Sequence, residues 1–371
     1  MPPRTIRNTG IITRAIVMER PLQAAFRDIR LTPLTPGSIL CRTTLSAISS
    51  GTDMKTWRGE QHPEQCWFPL VPGYENVGIV EEIFPDETGM LAATAIAPGA
   101  TPLRVGDRVM INECRRFADV CASWGGNARH VIKNATTATA PFDYLAKIPD
   151  NVSDADASLA YLACVALKGI RRFTFAPDGG DGETVVVTGA GILGLSALQI
   201  LKNLAPAATL IAIDQSPTAC AAARHYADHA LVADGSEIPK LREITNGRMA
   251  GKLLECTGSP RLLANLYRYI KDGGWRCDGN DEPAHIHLQG DYPGRVVLDN
   301  WHRWFVKNCK VTMTCAYAPG AKEQILAWMS AGKFTTRHFL TKIRDAADCH
   351  AAYAGKQKNP GDNTKILFRW D

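Results

Sequence analysis

The stretch Val185-Val186-Val187-Thr188-Gly189-Ala190-Gly191-Ile192-Leu193-Gly194 decides how this chain is read. A β-branched strand runs straight into Gly-x-Gly-x-x-Gly, which opens an apolar helix expected over residues 195–204. A second strand, Thr209-Leu210-Ile211-Ala212-Ile213, ends at Asp214, twenty residues past Gly194. Glycines alone are a weak signal. Strand, glycine turn, helix, strand and acid at this spacing make the fingerprint of a dinucleotide-binding unit. Gly189 permits the tight turn, Gly191 lets a pyrophosphate approach the backbone, and Gly194 lets the helix pack on the strand. The helix start at Ile192 and Leu193 offers N–H groups and a positive dipole end to the phosphates. Asp214 is expected to accept hydrogen bonds from the adenosine ribose, and its charge repels a 2′-phosphate. Gln215-Ser216-Pro217 supplies no Arg to reverse that, so the expected cofactor is NAD(H).

At 371 residues the chain is long enough for two domains. A hydrophobic content of 45% with 21% charged residues is that of a soluble globular protein. The net charge of +5 is mild and the basic residues are scattered, so no nucleic-acid partner is expected. No apolar run reaches the length of a membrane span, and residues 1–14 lack an apolar signal core. The eleven cysteines include no Cys-x-x-Cys pair and read as reduced thiols of a cytoplasmic protein.

Up to about residue 153 the texture is β-rich, with short strands expected at 39–43, 77–80, 109–111 and 130–132 and a surface loop at 85–101. Beyond it, helices are expected at 157–172, 219–227 and 262–270, and strands at 230–233 and 252–256. The last fifty residues hold a helix at 321–331 and strands at 340–343 and 364–368. Strands alternating with helices predict an α/β fold with a doubly wound parallel sheet.

Several blocks then point one way. They are Ser50-Gly51-Thr52-Asp53, Val71-Pro72-Gly73-Tyr74-Glu75-Asn76-Val77-Gly78, Val105-Gly106-Asp107-Arg108-Val109, Gly125-Gly126-Asn127-Ala128, Leu162-Ala163-Cys164 and Glu255-Cys256-Thr257-Gly258. In this order the chain resembles the medium-chain dehydrogenase/reductase superfamily, the alcohol dehydrogenase-like enzymes, over nearly its whole length. Over about the first 80 residues it looks like the hydroxyethyl bacteriochlorophyllide dehydrogenase branch. The resemblance implies a GroES-like β-rich catalytic domain from 1–153 plus 319–371 and a Rossmann domain over 154–318. It places Thr257 beside the cofactor and implies a homodimer paired through the edge of the Rossmann sheet, at residues 309–315.

The departures from the family pattern bear on mechanism. Zinc members hold the metal with Cys, His and Cys, sometimes with Glu. Here Ser50 and Tyr74 stand at the first two positions, leaving Cys164 with Glu75 nearby. A hydroxyl and a phenol are poor ligands for Zn²⁺, so no catalytic zinc is expected. The competing arrangement would use Glu75 and Cys164 with Cys66, His62 or Asp53. The structural-zinc lobe is reduced to Cys114 and Cys121, expected to be packing residues.

Without a metal, charge on the substrate oxygen needs a hydrogen-bond donor or a proton. Tyr74 is the expected oxygen partner. Thr52 and Lys55 complete a proton relay, with Lys55 lowering the Tyr74 pKa, and Asp53 and Glu75 orient the site. The bland readings stay open: Tyr74 as a packing aromatic, Lys55 as a solvated lysine, Glu75 as structural, Cys164 as a small buried residue. The expected reaction is hydride exchange between NAD(H) and a small-molecule secondary alcohol or ketone. Zinc-free reduction of an activated C=C bond, a zinc enzyme with rearranged ligands, and a non-catalytic NAD(H)-binding regulator are the alternatives.

Overall fold

The computed structural model describes residues 10–62, 64, 66–84, 102–134, 143–180, 182–274, 282–292, 295–359 and 364–370. The expected loop at 85–101 lies outside them, as do Cys277, Pro293 and Gly294. The chain divides into two compact units, residues 1–161, 318–332 and 340–371, and residues 162–317 with 333–339.

The first unit opens with β1 (Ile12–Arg20) and β2 (Gln23–Arg30), an antiparallel pair. There follow β3 (Ser38–Ala47), α1 (Thr52–Arg58), β4 (Leu70–Val71), β5 (Glu75–Ile83), β6 (Arg108–Met110), β7 (Cys121–Ala122), β8 (His130–Asn134) and β9 (Ala146–Lys147). Helix α2 (Asp154–Ile170) contains the division between the units.

The second unit alternates β10 (Thr184–Thr188), α3 (Ile192–Leu204), β11 (Thr209–Asp214), α4 (Pro217–Ala223), β12 (His229–Val232), α5 (Glu237–Ile244), β13 (Lys252–Glu255), α6 (Pro260–Leu263), β14 (His285–Leu288), α7 (Trp301–Phe305) and β15 (Lys310–Met313). The chain then adds α8 (Ala321–Ser330), β16 (Thr341–Asp345), α9 (Cys349–Lys358) and β17 (Lys365–Arg369) to the first unit.

The sheet of the second unit is wholly parallel, in the order β12-β11-β10-β13-β14-β15. Numbered within the unit this is the doubly wound order 3-2-1-4-5-6. Val185, Val186 and Val187 are buried, as a central parallel strand covered on both faces requires. The helix expected at 262–270 is instead α6 followed by a 3₁₀ turn, Leu266–Arg268. The reason lies in spacing: Leu263, Leu266 and Tyr269 recur every three residues and all bury, and Ile270 is drawn into a parallel bridge with Ala250.

In the first unit, β3 is the central strand of the larger sheet, ordered β16-β17-β3-β5-β6-β9, and it also pairs β8. A smaller sheet runs β2-β1-β4-β7. Ala15, Val17, Ile39, Val71, Val80, Val109 and Val131 form one core, while Met18, Met54, Trp57, Leu70, Tyr353 and Phe368 form a second beneath α1 and α9. Cys114 packs in the first core, whereas Cys121 is exposed on β7, so the expectation of two packing cysteines holds only for the former. Among the described residues no helix is long and apolar enough to cross a membrane.

Candidate functional site

In the second unit the glycine turn takes the form that its sequence demands. Gly189 has a φ of +87°, which suits only a residue without a Cβ, and a Cβ there would also meet Thr257 Cγ2 at 2.8 Å. A Cβ on Gly194 would sit 1.8 Å from the Gly189 carbonyl oxygen, so helix and strand approach this closely only because residue 194 is glycine. Gly191 caps α3 in an extended conformation and faces open space, leaving room for a phosphate at the helix start. Ile192 and Leu193 form the first turn of α3.

Asp214 closes β11, and its carboxylate accepts the Ala190 N–H at 2.7 Å and the Ser216 N–H at 2.8 Å. These bonds hold it against the glycine turn, and its remaining lone pairs are available to ribose hydroxyls.

Thr257 is placed beside this turn for a reason the sequence did not show. Glu255, wholly buried at the end of β13, accepts the Thr257 N–H at 2.6 Å and the Gly258 N–H at 3.2 Å. The Thr257 and Tyr292 hydroxyls donate to the same carboxylate. Thr257 Oγ1 also accepts the Ser259 N–H at 3.0 Å. The hydroxyl of Thr257 therefore shapes the loop, and its methyl group lies against Gly189. Gly290 and Gly258 let the Tyr292 segment come this close, since a Cβ on Gly290 would meet Gly258 N at 2.4 Å.

In the first unit a polar cluster is buried where β5 leaves the Pro72-Gly73-Tyr74 turn. Gly73 has a φ of +92°, and a Cβ there would overlap the Asn127 side chain at 2.5 Å. Tyr74 is half-buried, and its hydroxyl shares a hydrogen bond with Ser49 Oγ at 2.9 Å, with Thr52 a second partner. Its ring meets Trp124 edge-on at 6.2 Å. Asp53 is fully buried on α1; its Oδ2 accepts the Ser49 N–H at 2.9 Å while its own N–H donates to Ser49 O at 3.0 Å. This reciprocal pair fixes the start of α1.

Glu75, buried on β5, pairs with buried Lys365 of β17 at 2.6 Å. The geometry follows from register: Glu75 and Leu367 both face Ala47 of β3, from its two sides, and Lys365 lies two residues from Leu367 on the same face.

The electrostatics correct one expectation. Burial first, and then the Glu75 carboxylate, push the Tyr74 phenol well above its ordinary value. The net shift is upward, against the lowering expected from Lys55, which lies half-buried on α1. The cation inside the cluster is Lys365, and it is engaged by Glu75. Burial likewise raises Glu75 against the pull of Lys365, and raises Asp53 to about 7 with Glu75 adding to it. Tyr74 is therefore a neutral phenol across the working pH range, a hydrogen-bond donor rather than a phenolate base.

The donors at the family's zinc positions do not fit a tetrahedral Zn²⁺. Ser50 is an exposed hydroxyl, Tyr74 is a phenol with a raised pKa, and Glu75 already holds a cation. Cys164 is buried on α2. Of the substitute ligands, His62 is exposed beside Glu64 and Cys66 is half-buried. Among the described residues no group of three or more His, Cys, Asp or Glu gathers as a metal cage.

Comparison with known proteins agrees with this architecture. The model of the alcohol dehydrogenase GroES-like domain matches residues 35–150. The 2-desacetyl-2-hydroxyethyl bacteriochlorophyllide A dehydrogenase of Cereibacter sphaeroides is 25% identical over 96% of this chain and 98% of its own. That likeness runs well beyond the first 80 residues. An uncharacterized zinc-type alcohol dehydrogenase-like protein of Haemophilus influenzae is 25% identical over 95% of this chain and 97% of its own. Among solved structures, a short chain alcohol dehydrogenase of E. coli CFT073, complexed with cofactor NADH, superposes with a TM-score of 0.72 at 19% identity, covering 97% of this chain and 100% of that one. Residues 35–150 belong to the alcohol dehydrogenase GroES-like domain family, and over nearly its whole length the chain is similar to alcohol dehydrogenase-like oxidoreductases.

The buried pair gives a direct test of the cluster. Replacing Lys365 by Met leaves Glu75 buried without its cation and should lower stability by about 3–5 kcal/mol in urea unfolding. Adding Glu75→Gln to Lys365→Met should restore most of it. A single-variant loss below about 1 kcal/mol would show that the pair is not desolvated as described.

Proposed function

We propose that this protein is an NAD(H)-dependent oxidoreductase that interconverts a secondary alcohol and a ketone without a catalytic zinc, in the cytoplasm. The observation that carries the reading is Tyr74, a neutral phenol hydrogen-bonded to Ser49 at 2.9 Å where relatives of the zinc type place a ligand. NAD(H), when bound, accepts or supplies the hydride. Gly189, Gly191 and Gly194 with the first turn of α3 would hold its pyrophosphate, and Asp214 its ribose. The carboxylate of Asp214 favours NAD(H) over the 2′-phosphorylated form. The NADH complex of a structure with this fold supports the cofactor class. A relative named for a hydroxyethyl substituent supports the substrate class.

Tyr74 donates its hydroxyl hydrogen to the substrate oxygen, where negative charge develops as a ketone is reduced. A phenol with a raised pKa is a weaker acid than usual but still more acidic than an aliphatic alcohol, so the proton moves to the alkoxide. Ser49 and Thr52 share the hydroxyl's second hydrogen bond and return the proton. Asp53, held near 7 and bonded to the Ser49 N–H, keeps Ser49 aligned and exchanges protons around neutrality. Glu75 acts through its field, keeping the phenol protonated. Lys55, on the same helix as Thr52, is the solvent-side end of the relay.

Tyr74→Phe keeps the ring and removes the hydroxyl. With NADH and a panel of ketones, its kcat should fall about 10²- to 10⁴-fold, with NADH affinity unchanged. Turnover close to wild type would remove Tyr74 from the chemistry. A panel in which enones are reduced and ketones are not would favour C=C reduction, and NADH binding without turnover of any substrate would favour a regulator.

The proposal extends to a homodimer. Strand β15 is the edge of the parallel sheet, and it carries Val311 and Met313 at 45% and 70% exposure. An unpaired edge with apolar side chains is a pairing surface. Light scattering should give twice the chain mass, and Met313→Lys with Val311→Lys should give the single mass. A wild-type monomer at micromolar concentration would contradict it.

A further inference from the structure

At the end of the parallel sheet opposite the glycine turn lies a cavity of about 530 Å³, within the size range of small-molecule sites. It opens at the amino ends of the strands, whereas the glycine turn follows the carboxyl end of β10. Lys252, His285 and Lys310 are each the first residue of β13, β14 and β15, and they are register partners of one another. Register partners share a face, so three basic side chains form a row across adjacent strands, all lining the cavity. Arg248 and Lys271 line it as well.

Like charges at neighbouring positions of a sheet are unfavourable. Two acids offset part of the repulsion. Lys252 pairs with Glu183 and packs its ammonium 4.9 Å from the centre of the Phe175 ring, and Lys271 reaches Glu282 at 3.3 Å. Arg248 and Lys310 are both exposed at the rim and have no ion-pair partner among the described residues. His285 shares its Nε2 hydrogen bond with Thr312 at 2.7 Å and meets Phe173 edge-on at 4.9 Å. Burial, then Lys310, His287 and Lys252, hold its imidazole down to about 4. It therefore stays neutral at ordinary pH, and among the described residues the net charge of the wall, two cations beyond the two acids, rests on Arg248 and Lys310.

We propose that this cavity binds a small dianion of metabolite size, a phosphate ester or a dicarboxylate, at a site separate from that of the dinucleotide. A dianion offsets the two uncompensated cations, Lys310 on the first residue of β15 and Arg248 on the turn between α5 and β13. The proposal does not depend on the reaction proposed above.

Methyl phosphate and malonate, titrated calorimetrically as dianions into the full chain at constant ionic strength, test it, with NADH absent and in excess. At least one of them should bind, and which one binds identifies the chemistry carrying the charge. Arg248→Ala with Lys310→Ala should weaken binding about tenfold for each cation removed. Both residues are exposed, so the variant should keep the wild-type melting temperature, and excess NADH should leave the affinity unchanged. Binding of neither anion at millimolar concentration, equal binding by the double variant, or displacement by NADH would each overturn the proposal.

Discussion

The ion pair between Glu75 and Lys365 is the constraint around which the first unit is organised. Both groups are out of water, and neither is tolerable there alone: the effective cost of burying one charge is several kcal/mol. Their meeting requires β5 and β17 to flank β3 in one register, which ties a strand from the first quarter of the chain to its last few residues. The same pair sets the electrostatics next door. The Glu75 carboxylate and the shortage of water both act against a phenolate at Tyr74. Lys365 cannot relieve this, because it is held at Glu75. A residue whose position in relatives suggests a ligand is thereby kept as a neutral donor.

The second unit rests on a different device, a buried carboxylate that gathers loops. Glu255 collects two backbone N–H groups and two hydroxyls, and this presses the Thr257 methyl group against Gly189 while Asp214 holds the turn from the other side. The glycine turn is thus braced before any cofactor arrives. The two strand ends of this sheet are chemically unlike: the carboxyl ends present backbone N–H groups and an acid, while the amino ends present a row of basic side chains.

Much of the fold was legible because its signals are local. The β-branched run before Gly189, the spacing to Asp214 and the alternation of elements each lie within a few tens of residues, and each has a steric or periodic cause. Blocks such as Gly73-Tyr74-Glu75 also placed Tyr74, Thr52, Asp53 and Glu75 together, and they do meet around Ser49. What escaped was non-local or ambiguous. Lys365 is 290 positions from Glu75; its only sequence signal is a charge among the apolar residues of the last strand. Ser49 gave no signal beyond standing before the Ser50 block. Tyr292 carried no signal in the sequence, and its tie to Glu255 became visible only with the loop geometry. Lys55 was misjudged because closeness in sequence suggested a cation beside the phenol, while burial and Glu75 decide its pKa. The single helix expected at 262–270 failed because a spacing of three and a spacing of three-to-four share most of their apolar positions.

The central claim is that a phenol, not a metal, meets the charge on the substrate oxygen. Metal content measured on active protein purified without chelators, together with turnover after dialysis against a strong chelator, tests it most directly. The account predicts far less than one zinc per chain and turnover unaffected by the chelator. One zinc per chain, with activity lost on its removal and restored by adding it back, would contradict it.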